Sequence, residues 1–273
     1  MSLVRRLISL NQWICLKIEG LLPQRFTQHL HTIYRYEVAR LANASPNPVI
    51  LDIGGGKECP FLPHLERPEQ CLIVALDISE SELRRNQDVR NRVAADASAP
   101  SLPFAPTTVD VIASRSVVEH VHDVAKFFGN CAELLRPGGY AVHTFPCKYS
   151  PFALLNRILP NRVAQRLLYF FYPEWEEACG FLAYYDRCCY SEIVQLANNC
   201  GLEIVQVEIR YYQAIYYTFC VPMYLVMLAY DLIMYALDAR NLACQLLIFT
   251  RRSELGTGRS GATAAPAVSV PSR

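Results

Sequence analysis

The chain has 273 residues, 52% of them hydrophobic, which suits one substantial core with a small cap and excludes intrinsic disorder for most of its length. With 26 Lys+Arg against 25 Asp+Glu, no global field recruits nucleic acid or anionic lipid. Eleven cysteines include the adjacent pair Cys188 and Cys189 but no Cys-x-x-Cys spacing, which fits a reduced, cytoplasmic chain with no metal site.

The first stretch, MSLVRRLISLNQWICLKIEGLLPQRF, has the early arginines of a signal peptide. Asn11, Gln12, Lys17 and Glu19 interrupt the apolar run such a peptide needs, and no small-x-small cleavage site follows. Leu3, Leu7, Leu10, Ile14 and Ile18 recur at three- to four-residue intervals and predict an amphipathic helix over about 2–20. A second helical pattern at 25–42 stops at Pro46 to Pro48, closing an N-terminal helical region of residues 1–47. From Val49 the period changes. VILDI (49–53), CLIVAL (71–76), VDVIA (109–113) and YAVHTF (140–145) alternate with helical stretches near 79–90 and 122–135, the rhythm of a parallel sheet covered on both faces. Pro137 stops the second of those helices, and Gly138-Gly139 turn the chain into the next strand.

Residues 151–185 are aromatic without strand rhythm and suit a cap over the strand ends. A helix near 190–199 and strands at 202–210 and 241–250 complete a domain spanning 48–252, and the tail from Ser253 reads as disordered. Between the last two strands, YYQAIYYTFCVPMYLVMLAY (211–230) carries no charge, a length that qualifies for a membrane span. A single crossing would place neighbouring strands on opposite sides of a bilayer, so an inserted helix over 213–238 is the better reading. Leu225 and Leu228 stand for its apolar face. That face could lie on a membrane surface beside the Leu3–Ile18 helix, pack within the domain, or form a homodimer interface. With few basic residues around the insertion, membrane binding is expected to be nearly independent of salt.

In an open parallel sheet, ligands bind beyond the carboxyl ends of the strands. VILDIGGGKE places Asp52 and three glycines at one such end, and glycine there permits φ > 0 and close approach to the main chain. ALDISESEL places Asp77 just past the second run, where a carboxylate can accept from two ribose hydroxyls or, equally, cap the following helix. DASAPSLPF puts Asp96 after a further short strand, positioned to accept from an adenine amino group. The next strand ends at Ser114-Arg115-Ser116. A dinucleotide fold is the nearest rival. Its G-x-G-x-x-G, counted from Gly54, would need glycine at Cys59.

Together with SVVEHVHD and ELLRPGGYAVHTFP, these motifs resemble the class I S-adenosylmethionine-dependent methyltransferases, in the branch that includes ubiquinone- and menaquinone-biosynthesis enzymes. The resemblance covers residues 48–147 and, more loosely, 187–210. It implies a Rossmann-like, α/β, mostly parallel seven-stranded sheet with helices on both faces and an antiparallel last strand. By this likeness Asp52, Gly54 and Gly56 surround the methionine part of S-adenosyl-L-methionine, Asp77 holds the ribose, Asp96 and Ala97 contact adenine, and Ser114 lies near the sulfonium. The chain departs from the family at Glu58, where a further glycine often stands.

Methyl transfer from a sulfonium needs alignment and exclusion of water rather than a nucleophilic side chain. For a hydroxyl acceptor a general base helps, and His120, beside Glu119, is the candidate. It could instead anchor its loop to the sheet. His143 lies in an apolar strand and reads as a core histidine; His122 reads as surface. Phe145, Pro146, Tyr149, Phe152, Trp175, Tyr184 and Tyr185 are candidate walls for a small-molecule or lipid-like acceptor, or cap packing. The basic run at Arg84–Arg92 is broken by Asp88 and reads as a solvated face, against a nucleic-acid substrate. A second class of function is a non-catalytic protein that keeps this fold for partner or membrane-surface binding.

Overall fold

The computed structural model describes residues 3–173 and 181–254, so Trp175 and the tail beyond Glu254 lie outside the described residues. Seven strands, β1 (Val49–Ile53), β2 (Leu72–Asp77), β3 (Asn91–Ala94), β4 (Val109–Arg115), β5 (Leu135–Pro146), β6 (Leu202–Arg210) and β7 (Gln245–Arg252), form one sheet in the order β3-β2-β1-β4-β5-β7-β6. The first five pair in parallel, and β7 runs antiparallel to both β5 and β6. The order reverses between β1 and β4, which fixes where a crevice opens at the carboxyl edge.

Strand parity assigns each side chain to a face. Ile50, Val111, Ala113, Val142, Leu247 and Phe249 pack with Leu30, Tyr34 and Val38 of helix α3 (Leu30–Asn43). Leu51, Ile112, Ala141, Phe145, Leu246 and Ile248 pack on the other face with Phe127 and Phe128 of α5 (Val124–Leu134) and Ile193 of α8 (Tyr190–Asn199). Burial on both faces explains why Val111, Ile112 and Ala113 of β4 form a continuous apolar run.

Several boundaries differ from the sequence expectation, each for a local reason. The 25–42 helix is broken into α2 (Gln24–Thr27) and α3 by extended backbone at Gln28 and His29. The helix expected over 79–90 is only α4 (Glu80–Arg85), because Asn86 takes over. Its amide donates to the Gly55 carbonyl at 2.7 Å, and its oxygen accepts from the N–H groups of Asp88 and Val89 at 2.9 and 3.0 Å. A side-chain-built turn thus props the glycine loop instead of another helical turn. The ladder of β5 begins at Leu135, and residues 136–139 bulge where its register against β4 shifts.

The 151–185 segment contains α6 (Pro151–Ile158) and α7 (Asn161–Phe171), and the insertion before β7 contains a 3₁₀ turn (Ala214–Tyr217) and α9 (Val221–Ala236). Asp231, the one acid in α9, is buried and accepts from the Gln213 and Ala214 N–H groups at 2.7 and 2.8 Å, pinning the turn to the helix. Asn11 of α1 (Leu3–Glu19) accepts from the Val221 N–H at 2.9 Å, so α1 caps α9 from outside. No helix among the described residues is long and apolar enough to cross a membrane.

Candidate functional site

The glycine turn after β1 is built around two carboxyl groups. Gly54 adopts φ +77° and donates to the Leu76 carbonyl at 2.7 Å, and a Cβ there would fall 2.1 Å from a Val117 methyl. A Cβ on Gly55 would come within 2.8 Å of an Asp52 carboxylate oxygen, and one on Gly56 within 2.8 Å of an Asp77 oxygen. Side chains at these positions would displace the acids, so the bare backbone lets Asp52 and Asp77, from adjacent strands, face one turn.

Asp52 is 3% exposed, and its Oδ2 has no hydrogen-bond partner among the described residues. Burial raises its pKa to about 8; Arg115 opposes this, and Asp77 and Glu58 add to it. A buried, unpartnered carboxyl is costly in isolation and fits a site that receives a cationic group. Asp77 is half-buried, which raises its pKa, and it accepts from the Ser79 N–H at 2.8 Å. The cap of α4 is Ser79, which accepts from the Glu82 N–H at 3.3 Å, so the alternative reading of Asp77 as that cap is corrected.

Asp96 is exposed, and its Oδ1 takes both the N–H and the hydroxyl of Ser98, at 2.8 and 2.7 Å. Ala97 is buried, and its carbonyl accepts from Asn130 of α5 at 2.9 Å. Asn130 also reaches the Ala99 carbonyl at 3.0 Å and so moulds the loop after β3. Ser114 falls on the α5 face, opposite Asp52, and its hydroxyl is 2.7 Å from His143 Nδ1, its register partner across the sheet. Only the main chain of Ser114 remains for a ligand. His143 lies between Phe127 and Phe128, and burial holds its pKa down to about 3.

Glu58 forms an ion pair with Arg115 at 2.6 Å, joining the glycine turn to the end of β4. Ser116, just beyond, sits at φ +53° with its hydroxyl 3.4 Å from His31 of α3. Sequence reasoning missed both contacts, since 57 and 85 residues separate the partners. A carboxylate and an arginine at neighbouring strand ends were the available signal for the first.

His120 lies in a 3₁₀ turn (Val118–His120) after β4, with Nδ1 2.9 Å from the Leu182 carbonyl. A carbonyl can only accept, so Nδ1 carries the proton and Nε2 keeps its lone pair. Burial lowers the pKa, which keeps the ring neutral. The tautomer is therefore set by Leu182 rather than by Glu119, whose Oε1 is 3.9 Å from Nε2. Glu119 is itself buried, its pKa raised to about 8, and its main-chain oxygen accepts from Tyr184 and Tyr185 at 2.8 and 3.0 Å. Among the candidate walls, Tyr149, Tyr184 and Tyr185 line one cleft, Phe145 is in the core, and Phe152 stacks on Tyr216.

A glycine turn between two strand-end acids thus stands at the carboxyl edge of a Rossmann-like sheet, where its order reverses. The model of the methyltransferase domain family matches residues 26–207, and the chain belongs to that family. It is 34% identical over 103 residues to an uncharacterized methyltransferase of Mycobacterium sp. (strain KMS), a match covering 38% of this chain and 40% of that one. It is 36% identical over 97 residues to a ubiquinone biosynthesis O-methyltransferase of Mesorhizobium japonicum, covering 33% and 37%. The matched region thus spans about two fifths of these curated relatives. Among solved structures, a candidate sarcosine dimethylglycine methyltransferase from Galdieria sulphuraria superposes with a TM-score of 0.52 at 17% identity, covering 83% and 85%, a likeness of fold alone.

Proposed function

We propose that the chain is an S-adenosylmethionine-dependent methyltransferase acting on a small-molecule or lipid-like acceptor. The observation that carries this reading is the orphaned, buried carboxyl of Asp52 beside Asp77 at a side-chain-free turn. The residues fit the group: Asp52 offers a carboxylate to an ammonium, Asp77 offers its second oxygen to ribose hydroxyls, and Asp96 and Ala97 line the adenine side. Gly54 and Gly56 keep the turn open, and Ser114 contributes main chain. When bound, S-adenosylmethionine supplies an electrophilic methyl group already attached to a good leaving group.

His120 is the proton acceptor for a hydroxyl acceptor, its Nδ1–H held on Leu182 so that Nε2 is free to take the proton. The O-methyltransferase relative supports a hydroxyl acceptor. Replacing Asp77 with Ala tests the assignment: S-adenosylhomocysteine should bind at least about tenfold more weakly, or about 1.4 kcal/mol, by calorimetry. An unchanged affinity would leave Asp77 with only its turn to Ser79.

A second reading, a fold kept for docking on a membrane surface, draws on one specific observation. Helices α1, α6, α7 and α9 expose apolar side chains that include Leu7, Trp13, Ile158, Phe170 and Val226. Phe152 stacked on Tyr216 and Phe171 on Phe219 join α6 and α7 to the insertion, so these helices form one crown. Such docking is compatible with catalysis on a lipid-like acceptor.

A further inference from the structure

The end of β5 and the loop 184–187 border an open cleft of about 410 Å³, within the usual range for small-ligand sites. Tyr149 and Tyr184 wall it, and Lys148, Arg157 and Arg187 reach it against a single acid, Asp186. That acid is committed elsewhere, because its Oδ2 accepts from the Val124 N–H at the head of α5, at 3.1 Å. Arg187 Nε is 4.0 Å from the other Asp186 oxygen, at the limit of an ion pair. Lys148 pairs at 2.5 Å with Glu192, which is not part of the lining. Arg157 has no acidic partner among the described residues. The balance in the cleft is therefore cationic, with guanidinium groups suited to bidentate recognition of an oxyanion.

The backbone of this loop is also unusual. Tyr185 and Arg187 adopt φ of +56° and +52°, left-handed conformations that bulky residues rarely take and that persist where surroundings over-determine them. Hydrogen bonds hold the loop in place: Tyr185 N–H donates to the Glu119 carbonyl at 3.0 Å, and Lys148 N–H to the Cys188 carbonyl at 2.7 Å. The same Glu119 carbonyl holds Tyr184, so the cleft wall and His120 are built on one turn.

We propose that this cleft binds an anionic group, a carboxylate or a phosphate ester, on an aromatic or amphiphilic methyl acceptor. The assignment of the ligand as acceptor rests on the methyltransferase reading; the anion site does not. The tyrosine rings receive the apolar body, and Arg157 and Arg187 clamp the oxyanion.

The test is calorimetric titration of the full chain, with and without saturating S-adenosylhomocysteine, using phenyl phosphate, benzoate and benzyl alcohol as probes. These share a ring and differ in the polar group. The expected result is binding of phenyl phosphate or benzoate at least tenfold tighter than of benzyl alcohol, with the stronger of the two identifying the oxyanion. Arg157→Gln and Arg187→Gln should each weaken the anion at least tenfold and leave S-adenosylhomocysteine affinity unchanged, while Arg157→Lys retains part of the anion affinity. Equal affinity for all three probes, or anion binding untouched in the Arg157→Gln/Arg187→Gln double variant, would overturn the proposal. A chain that binds the anions as expected but not S-adenosylhomocysteine would keep the anion site and overturn the methyltransferase reading.

Discussion

Asp52 and Glu119 are carboxyl groups held out of water, each with its pKa raised to about 8 by burial, and Asp231 is raised to about 7 for the same reason. In an unfolded chain all three would titrate near 4. These acids therefore hold extra protons in the folded state between about pH 4 and pH 8; below about pH 6.5 His31 and His143, whose pKa values burial lowers to about 4 and 3, act in the opposite sense, so stability falls as pH rises from about 6.5 to 8. Thermal unfolding of the ligand-free chain should show a midpoint that climbs from pH 8 to about pH 6.5. Asp52→Asn should remove part of the penalty and raise the midpoint at pH 8 by roughly 2–4 °C, about 1 kcal/mol for a domain of this size. A variant less stable than wild type at pH 8 would mean that Asp52 is ionised and paired.

His120 carries the other prediction at this scale. With a lowered pKa and Nδ1–H committed to Leu182, its Nε2 accepts a proton at neutral pH and loses that ability as pH falls. His120→Gln should lower kcat by roughly 10²–10⁴-fold, flatten the acid limb of the pH–rate profile and leave S-adenosylhomocysteine affinity intact. Unchanged kcat would assign His120 to loop anchoring alone. The position of His120 after a strand was legible in the sequence. Its tautomer partner was not, because Leu182 is 62 positions further along the chain than His120 and local periodicity says nothing about such a contact.

Secondary structure was most legible where adjacent apolar residues follow one another, as in Val49–Leu51 of β1, Leu72–Leu76 of β2 and Val111–Ala113 of β4. It was least legible where a side chain replaces the backbone, as Asn86 does at the end of α4. In α9 the pattern marked an apolar helix but could not say which apolar residues find partners. Leu228 is 8% exposed and belongs to the core, whereas Leu225 is 47% and Val226 68% exposed. Replacing Leu228 would therefore test folding, and the pair for testing docking is Leu225 and Val226. Tertiary structure also revises the charge argument. Around the crown, Arg157, Arg162 and Arg166 of α6 and α7 join Arg6 and Lys17 of α1, while Glu19 accepts from Tyr212 and Asp231 is buried. A docking crown of this kind should float with vesicles containing anionic phosphatidylglycerol, weaken as salt is raised, and lose binding in the Leu225→Glu/Val226→Glu variant. A folded wild-type chain that never floats would remove the membrane reading.

At the scale of the molecule, the sheet order sets the crevice at the β1–β4 reversal, and α3, the glycine turn and the end of β4 meet around it through the Glu58–Arg115 pair and the Ser116–His31 contact. The βαβ rhythm and the acids at strand ends made the sheet and its open edge readable in advance. Which face each acid takes depends on register, so the burial of Ser114 against His143 emerged only from the assembled sheet. Whether this edge holds S-adenosylmethionine is read out by isothermal titration of the full chain with S-adenosylhomocysteine. The expected result is one site per chain with micromolar affinity, about −8 kcal/mol, and proton release on binding at pH 7 as Asp52 ionises against the ligand's ammonium. Absence of any binding at high micromolar concentration, by a chain shown to be folded, would contradict it.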